Sequence, residues 1–186
     1  MSINNKKCII LVDGSNFYFK LKDLKLSYLL TFNFSKFIID LANDYEIVDS
    51  IYFIGKIRTD GSKKSNLMLS NQQKLLKHLS KNGLHYKLGY LLKYKNDVYH
   101  EKGVDVNIAT HILIATYEDL ADKIVVISSD TDLVPAISKA REKGKIVEYI
   151  GFKHNPSRRL MHECNKFRLL SKDDLVEYTK KSHKQQ

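Results

Sequence analysis

Long hydrophobic runs are absent from this chain. Its longest apolar stretches, Ile124 to Ile127 and Ile108 to Ala115 with Thr110 and His111 inside it, fall far short of the ~18 residues a membrane-spanning helix needs. Cysteine is scarce as well. Cys8 and Cys164 lie far apart with no CxxC or Cys/His spacing, which argues against a zinc site and a disulfide framework and leaves two buried thiols. Internal repeats are missing, and low-complexity sequence is confined to the last few residues. The polar opening, Met1 to Lys7, lacks the apolar stretch and small-residue cleavage site of a secretory signal, so a cytoplasmic location is expected.

What is present is enough to build a core. The 186 residues suit one domain, and at 43% hydrophobic with 28% charged the chain can bury substantial apolar surface. The formal charge of +10 and a pI near 9.4 favour a polyanionic partner, because Lys and Arg that neutralise phosphates release condensed counterions. Charge alone does not separate DNA, RNA and an acidic membrane. Part of the excess sits in Lys180, Lys181 and Lys184, where a solvated tail accounts for it equally well.

Strand-like and helix-like runs alternate along the chain, which predicts an α/β domain with a mainly parallel sheet flanked by helices. Cys8 to Val12 is a β-type run ending in Asp13-Gly14-Ser15-Asn16, where small polar residues turn the chain toward a helix. Phe34 to Ala42 has one apolar helical face; Ile47 to Ile57 and Leu84 to Tyr94 read as strands. Between them, Lys56 to Asn66 reads as a protruding basic loop and Leu67 to Leu79 as a helix ended near Gly83. Lys95-Asn96-Asp97 suggests a hairpin turn. Val104 to Tyr117 is a helix with Asp105 in its first turn, Lys123 to Ser128 a buried strand, and Thr131 to Lys143 a helix ended by Gly144. Lys145 to Ile150, a short helix opened by Pro156, an edge strand at Phe167 to Leu170 and a helix start at Ser171 to Asp174 complete the reading.

Asp13 ends the first strand, and Asp130 and Asp132 follow the strand at 123–128. With parallel strands in the order 3-2-1-4-5, those two strands are neighbours at the topological switch point, where α/β sheets place their sites. Asp105 can join from the start of the preceding helix. Each carboxylate alone has an ordinary use: Asp13 in an Asx turn, Asp130 or Asp132 as a helix cap. Together they repel and raise one another's pKa unless a cation neutralises them, and hard Mg²⁺ or Mn²⁺ prefers such oxygen ligands.

Three motifs, Val12-Asp13-Gly14-Ser15-Asn16, Lys102-Gly103-Val104-Asp105-Val106 and Ser128-Ser129-Asp130-Thr131-Asp132-Leu133, occur in the order found in NYN domains. The chain resembles that family, a branch of the PIN-like nucleases, over roughly residues 8–170. Gly144, the strand ending Tyr149-Ile150-Gly151-Phe152 and the segment Ser157 to Leu170 resemble its LabA-like members. The resemblance implies a single PIN-like Rossmannoid domain over 1–170, with 171–186 a helical or flexible tail. It also implies a metal-dependent ribonuclease with Asp13, Asp105, Asp130 and Asp132 as the acidic metal site and Asn16 and Lys102 nearby. Two positions depart from the family pattern: His111 stands where an acid is common, and Ser129 where glycine is.

Lys56, Arg58, Lys63 and Lys64 on the basic loop, with Arg158 and Arg159 at the other rim, are the candidate contacts to a nucleic acid, RNA by expectation. Each is also an ordinary soluble surface residue. Tyr90, Tyr94 and Tyr99 suit base stacking if exposed, or strand packing if not. Two rival functions stay open. One is a noncatalytic PIN-like module that binds RNA or a partner protein. The other is a Rossmann-like phosphatase, against which stands the lack of a DxD pattern, since position 15 is serine.

Overall fold

The residue run that starts the fold, Lys7–Asp13 (β1), is apolar on both faces because it lies in the middle of a sheet covered on both sides. The computed structural model describes residues 6–26, 28–93 and 99–179. After β1 come α1 (Gly14–Asp23), α2 (Phe34–Ala42), β2 (Glu46–Lys56), α3 (Lys63–Lys81), β3 (His85–Lys93) and β4 (Tyr99–Lys102). The second half holds α4 (Val104–Tyr117), β5 (Lys123–Ile127), α5 (Val134–Glu142), β6 (Ile146–Phe152), α6 (Arg158–Glu163), β7 (Lys166–Leu170) and α7 (Lys172–Thr179).

The sheet order is β4-β3-β2-β1-β5-β6-β7, with six parallel strands and β4 antiparallel at one edge. The expected parallel order is therefore found, with β7 extending it. The turn expected at Lys95 to Asp97 falls outside the described residues. Because β1 is paired with β2 on one side and β5 on the other, the winding reverses between them.

Alternation along β1 divides the core. Ile10 and Val12 face the layer formed by α1, α2, α3 and α7, where Phe17 stacks edge to face on Phe32 with ring centroids 5.5 Å apart. Leu175 and Tyr178 bring α7 into the same layer. Ile9 and Leu11 face the other layer, formed by Val104, Ile108 and Ile112 of α4 and Ala136, Ile137 and Ala140 of α5. Cys8 and Cys164 are buried, and burial pushes their thiols up to about 11 and about 12.

Helices α2 and α4 have the bounds that their periodicity predicts. Helix α3 does not. It begins at Lys63, four residues before the expected start, because Ser62 caps it: Ser62 Oγ accepts the Ser65 backbone N–H at 3.1 Å. Asp60 Oδ1 in turn accepts from Ser65 Oγ at 2.7 Å and from the Ser62 N–H at 3.0 Å. Lys63 and Lys64 thus form the first turn of a helix instead of a free loop.

Candidate active site

At the C-terminal end of β1 the pairing register runs Val12 to Ile127, which puts Asp13 level with the residue that follows β5, Ser128. Asp13 is 6% exposed and both of its carboxylate oxygens are held. Oδ1 accepts the Asn16 N–H at 3.0 Å as the cap of α1, and Oδ2 accepts the Ser128 hydroxyl at 2.8 Å. Helix α1 can start this close to β2 because residue 14 is glycine. A Cβ there would fall 2.6 Å from the Phe53 carbonyl oxygen and run into the Tyr52 ring.

Ser128 also accepts the Asp130 N–H at 3.1 Å, so one hydroxyl ties the ends of β1 and β5 together. Ser128 opens the third of the sequence motifs, but the sequence assigned it no role in the site. A small polar residue directly after a buried apolar strand was the available signal. Asp130 caps the 3-10 turn at Thr131–Leu133, its Oδ1 accepting the Asp132 N–H at 2.8 Å. The capping and clustering roles of Asp13 and Asp130 therefore coexist. Asp132 lies exposed in that turn.

Asp105 arrives from the first turn of α4, behind Gly103, whose φ of 79° is the left-handed conformation that glycine adopts without strain. Its carboxyl is pushed up from an ordinary 3.8 to about 6. Desolvation comes first, then repulsion from Asp130 and Asp13, a hydrogen bond with Asp130, and the charge of Asp132. The residue as a whole stays exposed, so repulsion is the part that a cation can relieve directly. The other three acids are thus near enough to be felt at Asp105.

Among the described residues no group of three or more His, Cys, Asp or Glu side chains is arranged to hold a metal ion. The donor set nonetheless fits a hard cation. Mg²⁺ keeps several waters and takes only one or two carboxylates together with substrate phosphate, and the Asp105–Asp130 contact offers such a pair. Beside them Ser129 Oγ is buried without a hydrogen-bond partner, a polar atom that a site water can satisfy.

A family model for the NYN domain matches residues 7–171. The chain belongs to the NYN domain family.

Membership of this family is consistent with the PIN-like nuclease superfamily. The backbone of this chain is similar to that of a protein of unknown function from Vibrio parahaemolyticus, with a TM-score of 0.69 at 21% identity, covering 94% of this chain and 98% of that one. More remote is a zinc-bound bacteriophage T5 5′-exonuclease, with a TM-score of 0.48 at 16% identity over 83% of this chain and 60% of that one. A T5 flap endonuclease in a complex with DNA and metal ions has a TM-score of 0.47 with the same identity and coverage. No functionally curated protein matches.

His111, at the position where NYN domains often carry an acid, is half-buried on α4. Its Nδ1 lies 2.8 Å from the Asn107 carbonyl oxygen and its ring packs edge to face on Phe53 at 5.1 Å. It is held as a packing residue. The basic candidates Lys56, Arg58, Lys63, Lys64, Lys102, Arg158 and Arg159 are all exposed. Lys102 ends β4 just before Gly103 and α4, the helix that carries Asp105, while Arg159 is ion-paired with Glu163 at 2.8 Å. Asn16 contributes its backbone N–H to Asp13. Tyr90 is 64% exposed on β3; Tyr94 and the side chain of Tyr99 lie outside the described residues.

Proposed function

We propose that this NYN domain is a divalent-metal-dependent ribonuclease that hydrolyses the phosphodiester bonds of single-stranded RNA. The observation that carries the reading is the gathering of carboxylates at the switch point of the sheet, where Asp105 is raised to about 6 by burial and by its acidic neighbours. Structural ion pairs normally lower a carboxylate; a cluster of one sign is the arrangement that an added cation stabilises.

Asp13, Asp105, Asp130 and Asp132 would hold Mg²⁺ or Mn²⁺, which supplies Lewis-acid stabilisation of phosphoryl charge and a water of lowered pKa. Asp13 is the fixed member. With Oδ1 on the Asn16 N–H and Oδ2 on Ser128, its orientation is set before any substrate arrives. Asp105, raised to about 6 by burial and by its acidic neighbours, would be the member suited to take the proton lost by the attacking water. Lys63 and Lys64, at the N-terminus of the 19-residue α3, set positive side chains on a positive dipole end, an arrangement a phosphate relieves. Lys102, Lys56, Arg58, Arg158 and Arg159 are the further candidate phosphate contacts.

The experiment is cleavage of a single-stranded RNA by the wild type, Asp13→Asn and Asp130→Asn, each with Mg²⁺, Mn²⁺ or EDTA. Cleavage by wild type only with metal, and loss of turnover beyond loss of binding in both variants, is expected. Equal cleavage by all three in EDTA excludes the mechanism. The commitment of His111 to Asn107 and Phe53 favours one rival, a noncatalytic RNA-binding module. RNA binding without turnover at any metal concentration would establish it.

A further inference from the structure

On the far side of α1 from β5, a cavity of about 560 Å³ opens between α1, the 3-10 turn at Leu29–Thr31 and α3. Ligand sites run from roughly 300 to 1,000 Å³ and are mostly apolar with a few polar groups. Its walls include Gly14 and Ser15, the two residues that follow Asp13 in the chain. Tyr18 and Tyr28 supply aromatic surface, and Tyr28 is 72% exposed at the mouth.

We propose that this cavity receives one unpaired base of the RNA strand whose phosphate lies at the carboxylates, a subsite that rests on the nuclease reading. Three observations point to a base instead of a purely apolar ligand. The first is a polar group set in an apolar wall. Gln72 spends its amide internally, donating to the Gly55 carbonyl at 2.7 Å and accepting the Ile57 N–H at 3.0 Å. Asn71, next to it, is exposed and presents a donor and an acceptor of the kind that reads a base edge. The second is charge at the rim. On α3, Lys64, Met68, Asn71 and Leu75 follow one another at helical spacings of four, three and four, so Lys64 lies on the stripe that lines the cavity. Lys56 and Arg58 flank the lining residue Ile57 and reach the surface. The third is the mouth aromatic, since every base has a face that stacks on tyrosine. An aromatic-walled cavity with an exposed amide, ringed by cations and lined by the residues that follow Asp13, matches a base and its own phosphate.

The test does not need hydrolysis. Single-stranded RNA decamers with 2-aminopurine at successive positions are titrated with the wild type, Tyr18→Ala, Met68→Trp and Asp13→Asn, in EDTA and in Mg²⁺, after melts show that each variant is folded. One position should report a large fluorescence change with wild type and Asp13→Asn. Met68→Trp, which fills the cavity, should abolish that change, and Tyr18→Ala should weaken binding by about fivefold to 140-fold, the range for removing one base–aromatic stack. The paired duplex should give no such signal.

An unchanged fluorescence profile and affinity in both Met68→Trp and Tyr18→Ala overturns the subsite, whatever cleavage shows. So does a wild type that binds no single strand. Saturation by adenosine 5′-monophosphate without any position-specific change in the decamer would make the cavity a mononucleotide site, and self-association abolished by Met68→Trp would give it to a second copy; either overturns the proposal. A cavity-dependent signature in a wild type that never cleaves supports the subsite and removes the nuclease reading alone.

Discussion

At the edge of the sheet where β5 begins, Lys123 is buried with its counter-ion; at the edge where β1 ends, Asp105 is held against carboxylates of its own sign. Lys123 is 3% exposed, yet its Nζ donates to the Ala42 carbonyl at 3.1 Å and to Glu148 at 3.3 Å and lies 4.2 Å from the Tyr45 ring centroid. Glu148 is shared with Arg168 at 3.2 Å. Every charge there meets its opposite, and the ammonium also caps the last carbonyls of α2. At the other edge, backbone N–H groups and the Ser128 hydroxyl orient Asp13 and Asp130. One cluster is finished by the chain itself; under the proposed function the other would be finished by what binds.

The largest effect should separate the edges by turnover. Asp13→Asn is expected to lower metal-dependent RNA cleavage by at least about a hundredfold, the scale of losing one positioned electrostatic group, while Glu148→Ala changes it only through folding. Single-turnover rates at a temperature where both variants are folded measure the contrast. Comparable rates in the two variants would break it.

Stability should then reverse the ranking. Glu148→Ala leaves Lys123 and Arg168 without their shared carboxylate, and removing one partner of a buried pair costs about 3–5 kcal/mol. For a domain of this size that corresponds to roughly 6–20 °C in Tm. Asp130→Asn is expected to raise the Tm of the metal-free protein, because Asn keeps most of an Asp cap while relieving repulsion. It should also shrink the further rise given by Mg²⁺ or Mn²⁺, since a ligand that binds only the native state stabilises it by mass action. A lower metal-free Tm with an undiminished metal shift would make Asp130 a cap and nothing more.

A difference in legibility runs along the same division. Asp13 and Asp130 could be read as a site because each follows a buried apolar strand, and the parallel order that joins those strands follows from the alternation of elements. The bounds of α2 and α4 were legible for the similar reason that their apolar faces are periodic. Pairing across the sheet was not. Lys123 and Glu148 are far apart in sequence and meet through the pairing of β5 with β6, and neither lies in a local pattern. Ser128 joins Asp13 to Asp130 by geometry that no spacing encodes, and the early start of α3 depends on the Asp60–Ser62–Ser65 contacts. The cavity beside α1 depends on a 3-10 turn, Leu29–Thr31, with no periodicity to betray it.

The pH dependence of stability sharpens the comparison with a smaller signal. Asp105 is about 6 in the folded protein against an ordinary 3.8. A carboxyl raised on folding binds more protons in the native than in the unfolded state between those values. Its stabilising contribution is complete below about 3.8 and is lost as pH rises through about 6. In EDTA, Asp105→Asn should therefore flatten the fall in unfolding free energy between about pH 4 and pH 6, measured by urea titration. An identical slope in wild type and variant would mean that neither burial nor the neighbouring acids raise Asp105.

The smallest expected effect concerns how far the basic surface favours one edge. Lys63 and Lys64 stand in the first turn of α3, after the C-terminal end of β2, whereas Lys166 opens β7 at the opposite edge. If the RNA strand crosses the carboxylates, its phosphates are drawn to the first pair and not to Lys166. Removing a lysine that neutralises one phosphate should reduce the magnitude of the log-log salt slope by ~0.7 for a single strand. Lys63→Ala with Lys64→Ala should therefore flatten the slope by about 1.4 if both lysines touch phosphate. Lys166→Ala removes the same charge from the protein as either single change, so any effect of net charge alone appears there too. Equilibrium titrations of a single-stranded RNA at several salt concentrations, in EDTA, read all three proteins. A slope flattened equally per lysine at both edges would show that the strand is held by overall charge, and the binding asymmetry between the two edges would be gone.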